Sequence, residues 1–165
     1  MAKPAVETLK KALLGAGPPI LQTQTFDHYD AKGKVVLGPR LQDRGQGPPG
    51  DVHNTGRALD IILCSMKPPS FLVRFDEEAT IGYGLVNIFL GLQSEMKWDT
   101  MIYDQKEWNS AGKVMERKKP MYDDPMARVR YEHLTHIHID WSFTNCDDTG
   151  FYQSLVDNLN SADFS

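Results

Sequence analysis

The sequence is poor in cysteine, in long apolar runs and in excess basic charge. Its 165 residues include only two cysteines, Cys64 and Cys146, which is too few for a disulfide scaffold, and the sequence leaves open whether they pair. No apolar run approaches the length of about 18 residues that a membrane-spanning helix needs. The net charge is −4 at pH 7. This argues against broad nucleic-acid binding, which usually shows a basic surface.

The amino-terminal segment lacks the continuous apolar core of a secretory signal peptide. The apolar spacing over residues 6–14 instead predicts a short amphipathic helix, which would end at Gly15 and the following Gly17-Pro18-Pro19. The sequence therefore predicts either an intracellular protein or one that leaves the cell by a route needing no cleaved leader.

The composition is ordinary for a globular protein, with 41% hydrophobic and 24% charged residues. A chain of this length suits one domain, residues 1–165, with a substantial buried core. Helices are predicted over residues 77–96, 125–132 and 149–159. Strands are predicted over residues 20–26, 35–37, 58–63, 98–108 and 135–141. This mixture predicts an α+β domain in which a small antiparallel sheet has helices packed on one side.

Three of the five histidines fall within residues 131–141. From Thr135 the residues alternate between polar and apolar, which is the period of a half-buried strand. Three potential metal ligands would then share one face: His136, His138 and Asp140. Imidazole and carboxylate groups are common zinc ligands. The alternative is a surface strand whose polar residues face water, and this stretch alone does not decide between the two.

Asp60 interrupts an otherwise apolar strand pattern over residues 58–63. A buried carboxylate is costly unless it is paired or coordinates a metal. The turn predicted at residues 54–56 would bring His53 beside Asp60, so that both reach one cation. In the alternative, Asp60 accepts hydrogen bonds from a neighbouring loop and His53 is a turn residue.

The two segments together resemble the zinc peptidases of the D-alanyl-D-alanine carboxypeptidase and dipeptidase family. That family's first motif is Ser-x-His-x-x-Gly-x-Ala-x-Asp, and residues 51–60 read Asp-Val-His-Asn-Thr-Gly-Arg-Ala-Leu-Asp, with Asp51 in place of the serine. The second motif, an acidic residue shortly before a strand with a ligand histidine, is similar to Glu132 and His136-Ile137-His138. The resemblance implies the fold shared by these peptidases and the hedgehog domains, in which a small antiparallel sheet carries the zinc ligands.

Carried over by position, the resemblance implies three zinc ligands: His53, Asp60 and His138. Three protein ligands with an open fourth position form the catalytic type of zinc site. Glu132 would be the general base, and His136 would stabilise the oxyanion. Arg40, or as second choice Arg44, would take the place of an upstream arginine that contacts substrate.

The spacing before the ligand histidine departs from the peptidase pattern. Many family members carry the base three residues before the ligand, where this chain has Thr135, whereas Glu132 lies six residues before His138. The spacing Glu-x-x-x-His-x-His is instead similar to the hedgehog signalling domains, which share the fold and metal site but are not established peptidases. The identity of the base is therefore open, and His136 is an alternative third ligand. Asp51 and Asp140 are predicted to orient the ligand imidazoles, and His133 is predicted to be a surface or loop residue.

The resemblance predicts a zinc metallopeptidase that hydrolyses bonds in peptidoglycan stem peptides or cross-links, as an endopeptidase or a carboxypeptidase. Without a secretory leader, such an enzyme suits phage lysis after release by a holin. It equally suits an antibacterial toxin that a secretion apparatus delivers to the periplasm or cell wall, with a cognate immunity protein as partner. The alternative is a catalytically inactive, zinc-containing, hedgehog-like binding domain.

Overall fold

The computed structural model describes residues 1–22, 25–29, 34–43, 48–63 and 76–165. The helices in these ranges are α1 (Pro4–Ala16), a 3₁₀ turn (Pro19–Gln22), α2 (Asp76–Gly91), α3 (Gln93–Met96), α4 (Pro125–Glu132) and α5 (Tyr152–Ser161). The strands are β1 (Thr25–Tyr29), β2 (Val35–Pro39), β3 (Leu41–Gln42), β4 (Ala58–Ile62), β5 (Thr100–Tyr103), β6 (Lys106–Asn109), β7 (Val114–Glu116) and β8 (His136–Asp140). Strands β1 and β2 pair with each other, and the other six form one sheet in the order β3-β4-β8-β5-β6-β7. The predicted α+β class is confirmed.

Strand β8 lies inside the six-stranded sheet, antiparallel to both β4 and β5. Its apolar residues, Ile137 and Ile139, have no exposed surface, as the alternating pattern predicts. They belong to one hydrophobic cluster with residues of α1, α2 and α5, among them Leu9, Leu85, Phe89 and Leu155. The helices therefore cover one face of β8, and its polar side chains point to the opposite face.

The prediction of a single strand over residues 98–108 is wrong, because the chain forms the β5–β6 hairpin there. Asp104 and Gln105 make its two-residue turn with φ values of 48° and 71°. Two successive left-handed residues are typical of a type I′ turn, which most often contains Asn-Gly or Asp-Gly. An Asp-Gln turn therefore gives little signal in the sequence. The strand predicted over residues 20–26 also begins later, since residues 19–22 form the 3₁₀ turn.

In the part of the chain that the structure describes, no helix is long and apolar enough to cross a membrane. Cys146 is buried, and its thiol donates to the carbonyl oxygen of Phe143 at 3.4 Å. Cys64, the other cysteine, lies outside the described residues.

Candidate metal centre

The register between β4 and β8 places two candidate ligands side by side. Asp60 pairs with His138 across the two strands, and directly opposite residues on one sheet face have Cβ atoms about 4.5–5.5 Å apart. The same register places Asp140 and His136 in the two adjacent rows. These four polar residues consequently share the sheet face opposite the one that α1, α2 and α5 cover.

His53 reaches this face from the loop that precedes β4. The amide of Gly56 donates to the His53 carbonyl at 3.0 Å, and the amide of Arg57 donates to the Val52 carbonyl at 2.8 Å. Gly56 has a φ of 73°, and a Cβ added there would lie 2.1 Å from the Met1 carbonyl oxygen. The turn therefore requires glycine, and it directs the His53 side chain toward Asp60.

Asp51 holds the backbone of this loop and not an imidazole ring. Its Oδ1 accepts a hydrogen bond from the His53 amide at 2.9 Å, which is the local contact that stabilises many Asp-containing turns. The Nδ1 of His53 is buried and has no hydrogen-bond partner among the described residues. The prediction that Asp51 orients a ligand imidazole is therefore wrong.

Three potential ligand atoms converge: His53 Nε2, Asp60 Oδ1 and His138 Nδ1. Asp60 Oδ1 lies 2.9 Å from His138 Nδ1 and 3.3 Å from His53 Nε2, and the two nitrogens are 3.2 Å apart. Metal–nitrogen distances of about 2.0–2.1 Å in a tetrahedral site separate the ligand atoms by about 3.3 Å. The three residues therefore fit one divalent ion, and within the described ranges they form a group that could hold a metal. His136, the alternative third ligand, is not part of this group.

The charges around His138 also favour a cation at this point. Burial opposes a charged imidazole, but hydrogen bonds to Asp140 and Asp60 outweigh burial and raise the pKa of His138 to about 9. Burial likewise opposes the charged form of Asp60, yet the nearby His136 and the hydrogen bonds with His138 and His53 hold its pKa well below the usual range. A position that retains a proton this firmly also suits a metal cation, which competes with protons for the same ligand atoms.

Asp140 contacts the ring nitrogen of His138 that faces away from the converging atoms. Its Oδ2 lies 2.9 Å from His138 Nε2, and both residues are 7% exposed. A carboxylate in this position fixes the tautomer and the orientation of a ligand imidazole and makes it a stronger ligand. The predicted orienting role of Asp140 agrees with this geometry.

Replacing Asp140 with asparagine is expected to weaken zinc binding about 10–100-fold, the usual cost of losing such a partner. The amide preserves the shape of the side chain but removes the negative charge that favours donation by His138 Nε2. Competition with a chromophoric chelator measures the affinity. Asp148→Asn is the matched control, because that carboxylate pairs with Lys97 on the surface. Zinc binding by Asp140→Asn as tight as that of the wild type would contradict the orienting role.

His133 belongs to the same site, which the sequence did not predict. It follows the last residue of α4 with φ 52° and ψ 50°, and its ring centroid lies 4.5 Å from that of His136 and 5.7 Å from that of His138. Burial, reinforced by the neighbouring His136 and His138, lowers the pKa of His133 to about 2. The ring is therefore neutral. The only sign in the sequence was the spacing His-x-x-His-x-His over residues 133–138.

His136 lies on the site face, two residues before His138 on β8. Its Nδ1 is 3.2 Å from the Thr135 hydroxyl. Burial lowers the pKa of His136, and the opposing attraction of Asp60 does not cancel this effect. A neutral imidazole carries one ring N–H group, the hydrogen-bond donor that its predicted role at the oxyanion requires.

Glu132, the predicted general base, has its carboxylate engaged by three donors. It has no exposed surface. Its Oε1 accepts from the Tyr122 hydroxyl at 2.6 Å, and its Oε2 accepts from Gln105 Nε2 and Arg128 Nε, each at 3.0 Å. Burial raises the pKa of Glu132, but these three hydrogen bonds lower it overall. Its role as a base stays a prediction of the family resemblance.

Arg40, the predicted substrate contact, lies between β2 and β3 in the chain, and its side chain contacts the carboxyl end of β4. Its Nη1 donates to the carbonyl oxygens of Ile62 and Leu63 at 3.2 and 3.1 Å. Ile62 pairs with His136 on β8, so this guanidinium group contacts the end of the strand next to the one that carries His136. Contact with substrate stays a prediction, and Arg44, the second choice, lies outside the described residues.

No family model, curated protein or solved structure matches this chain.

Proposed function

We propose that this protein is a zinc-dependent hydrolase that cleaves peptide bonds in bacterial peptidoglycan. The observation that carries the proposal is the convergence of His53 Nε2, Asp60 Oδ1 and His138 Nδ1, with separations between 2.9 and 3.3 Å. The resemblance of residues 51–60 to the D-alanyl-D-alanine peptidase motif supports the substrate class. It also supports the hedgehog-like form of the α+β fold.

Zinc is the ion that this set of ligand atoms favours. Calcium and magnesium prefer sites made of oxygen atoms, whereas two imidazoles and one carboxylate are typical of catalytic zinc sites with three protein ligands. When bound, zinc supplies Lewis-acid polarisation of a substrate carbonyl group and activation of water. The protein contributes His138 and Asp60 from two paired strands and His53 from a turn fixed by Gly56.

His136, beside the ligands, is the proposed catalytic histidine. His136 is neutral and lies on the ligand face, so its ring N–H can donate to the oxyanion that develops when the peptide carbonyl is attacked. His133, also neutral and 4.5 Å from His136 between ring centroids, packs against that ring, but with a pKa of about 2 it is too weak a base to take a proton at neutral pH. The family resemblance implies Glu132 as the base, and the neutral His136 is the alternative. Arg40, which contacts the end of β4, would bind a carboxylate of the stem peptide, as the family resemblance implies.

The proposed place of action is the bacterial periplasm or cell wall, where the substrate is. A phage lysis enzyme and a toxin delivered into a target cell both suit this activity. In the second case a cognate immunity protein would be the partner.

The proposal predicts that zinc-loaded protein releases new amino groups from purified sacculi, because peptide hydrolysis frees an amine for each bond cut. Mass spectrometry of the muropeptides before and after treatment identifies the bond from the mass that is lost. The matched control is Asp60→Asn, which is expected to lose a ligand and to release nothing. Sacculi that remain intact with fully zinc-loaded wild-type protein, in both Gram-negative and Gram-positive preparations, would contradict the proposal.

A zinc-containing binding domain without catalysis is the second candidate. The observation that favours it is the engagement of both Glu132 oxygens by Tyr122, Gln105 and Arg128, because the base that the family resemblance implies is then occupied. Under this alternative the protein holds stoichiometric zinc and binds sacculi without changing any muropeptide mass.

A further inference from the structure

We propose that Glu132 is a positioning residue: a buried carboxylate that joins three segments and thereby holds the His133 ring in the metal site. This inference rests on the proposed function only for its catalytic consequence. The placement of His133 is a property of the folded chain and can be tested without any activity.

The side chain of Glu132 is poorly placed to act as a base, because its carboxylate is buried and already accepts three hydrogen bonds. A general base must lie within hydrogen-bond reach of the proton that it takes. Here the Tyr122 hydroxyl donates to Oε1, and Gln105 and Arg128 both donate to Oε2, which uses three of the roughly four acceptor positions of a carboxylate. The residue is also fully buried.

The three donors come from different parts of the chain. Gln105 lies in the turn between β5 and β6, and Arg128 lies one helical turn earlier on α4. Tyr122 belongs to the segment between β7 and α4, where its hydroxyl also accepts from the Lys119 amide at 2.7 Å. One carboxylate therefore ties the hairpin turn, the helix and the preceding segment together.

The backbone around Glu132 makes the same connection. The amide of Gln105 donates to the Glu132 carbonyl at 2.8 Å, and the amide of Asp104 donates to the His133 carbonyl at 3.1 Å. The β5–β6 turn is thus fastened to the corner between α4 and β8 by both main chain and side chain. Loss of the Glu132 charge disrupts the side-chain hydrogen bonds of this attachment and leaves its backbone hydrogen bonds in place.

His133 occupies that corner in a left-handed conformation, with φ 52°. Residues with a Cβ adopt this conformation at a cost, so it persists where surrounding contacts impose it. In this conformation the ring of His133 lies against the rings of His136 and His138. The contacts of Glu132 therefore act on the site through His133.

The test uses Glu132→Gln in the full-length protein, both metal-free and zinc-loaded. The glutamine amide keeps the shape of the side chain, but its NH₂ group replaces one carboxylate oxygen and faces the donors that bonded to it. One hydrogen bond is therefore lost, and the NH₂ group repels a second donor. The expected results are a fall in Tm of roughly 3–12 °C and a shift of the His133 ring signals in a ¹H–¹³C NMR spectrum. Zinc stoichiometry should be unchanged. Cleavage, where it is measured, should fall by less than about tenfold, well short of the roughly 10²–10⁴-fold loss expected for a base.

Tyr122→Phe is the graded companion variant, because it removes one donor and leaves the carboxylate in place. It should lower Tm by roughly 1–6 °C and move the His133 signals in the same direction by a smaller amount. If Glu132→Gln fails to fold, Tyr122→Phe still decides the question. Unchanged His133 signals in Tyr122→Phe would overturn the proposal.

A wild-type Tm and unmoved His133 signals in Glu132→Gln would also overturn the proposal. If that variant also lost most of its cleavage, Glu132 would be identified as the base. Absence of cleavage by the wild type would count against the proposed function alone, since the NMR and unfolding measurements do not depend on it.

Discussion

Replacing His138 with alanine is expected to abolish stoichiometric zinc binding at micromolar protein concentration. His138 supplies one of three converging ligand atoms and contacts both Asp60 and Asp140, at 2.9 Å each. If the ligands share the roughly 10–16 kcal/mol of a tight zinc site, one ligand contributes about 3–5 kcal/mol, a loss on the order of 10²–10⁴-fold. The substitution also leaves two neighbouring carboxylates without their shared imidazole. Atomic absorption after dialysis gives the stoichiometry, and chelator competition gives the affinity.

His133→Asn is the matched control for this experiment. It removes another imidazole from the same cluster, but His133 is not among the three converging residues. Asparagine also tolerates the left-handed backbone conformation of that corner better than most residues. This variant should retain zinc. Equal zinc loss in both variants would mean that the whole histidine cluster holds the metal, whereas retention in both would show that these three residues do not bind it.

Local sequence patterns were sufficient to predict the strand that carries His138 and the face that it shares. The alternation of polar and apolar residues from Thr135 onward indicates a strand with one buried face, and Ile137 and Ile139 on that face are fully buried. Asp60 was detectable for the same reason, since a carboxylate within an apolar strand needs a partner. Such signals are local, so the sequence shows them directly.

The role of His133 depends on contacts between distant segments, and this is why the sequence did not reveal it. Its left-handed conformation is stabilised by hydrogen bonds from the turn at Asp104 and Gln105. Gln105 lies 28 residues before His133 in the sequence. That turn itself was missed because it contains no glycine or asparagine. The donors that engage Glu132 also come from separate segments, so the sequence showed only a carboxylate before a histidine strand.

His136→Ala is expected to lower peptide cleavage by about 10²–10³-fold, the usual cost of removing one oxyanion donor, while zinc binding stays intact. His136 pairs with Ile62 in the row next to Asp60 and His138, so it lies on the ligand face but outside the converging group. Initial rates of amine release from sacculi measure the effect, and zinc content is measured on the same samples. This combination separates the loss of a catalytic group from the loss of a ligand.

His136→Gln distinguishes the two ways in which this imidazole can act. A glutamine amide can donate a hydrogen bond but cannot exchange a proton at neutral pH. If His136 stabilises the oxyanion, His136→Gln should recover a substantial part of the rate that His136→Ala loses. If His136 transfers a proton, both variants should be equally slow, and His136 would be the acid–base group. Wild-type rates in His136→Ala would remove this residue from catalysis altogether, and a loss of zinc in the same variant would make it a ligand.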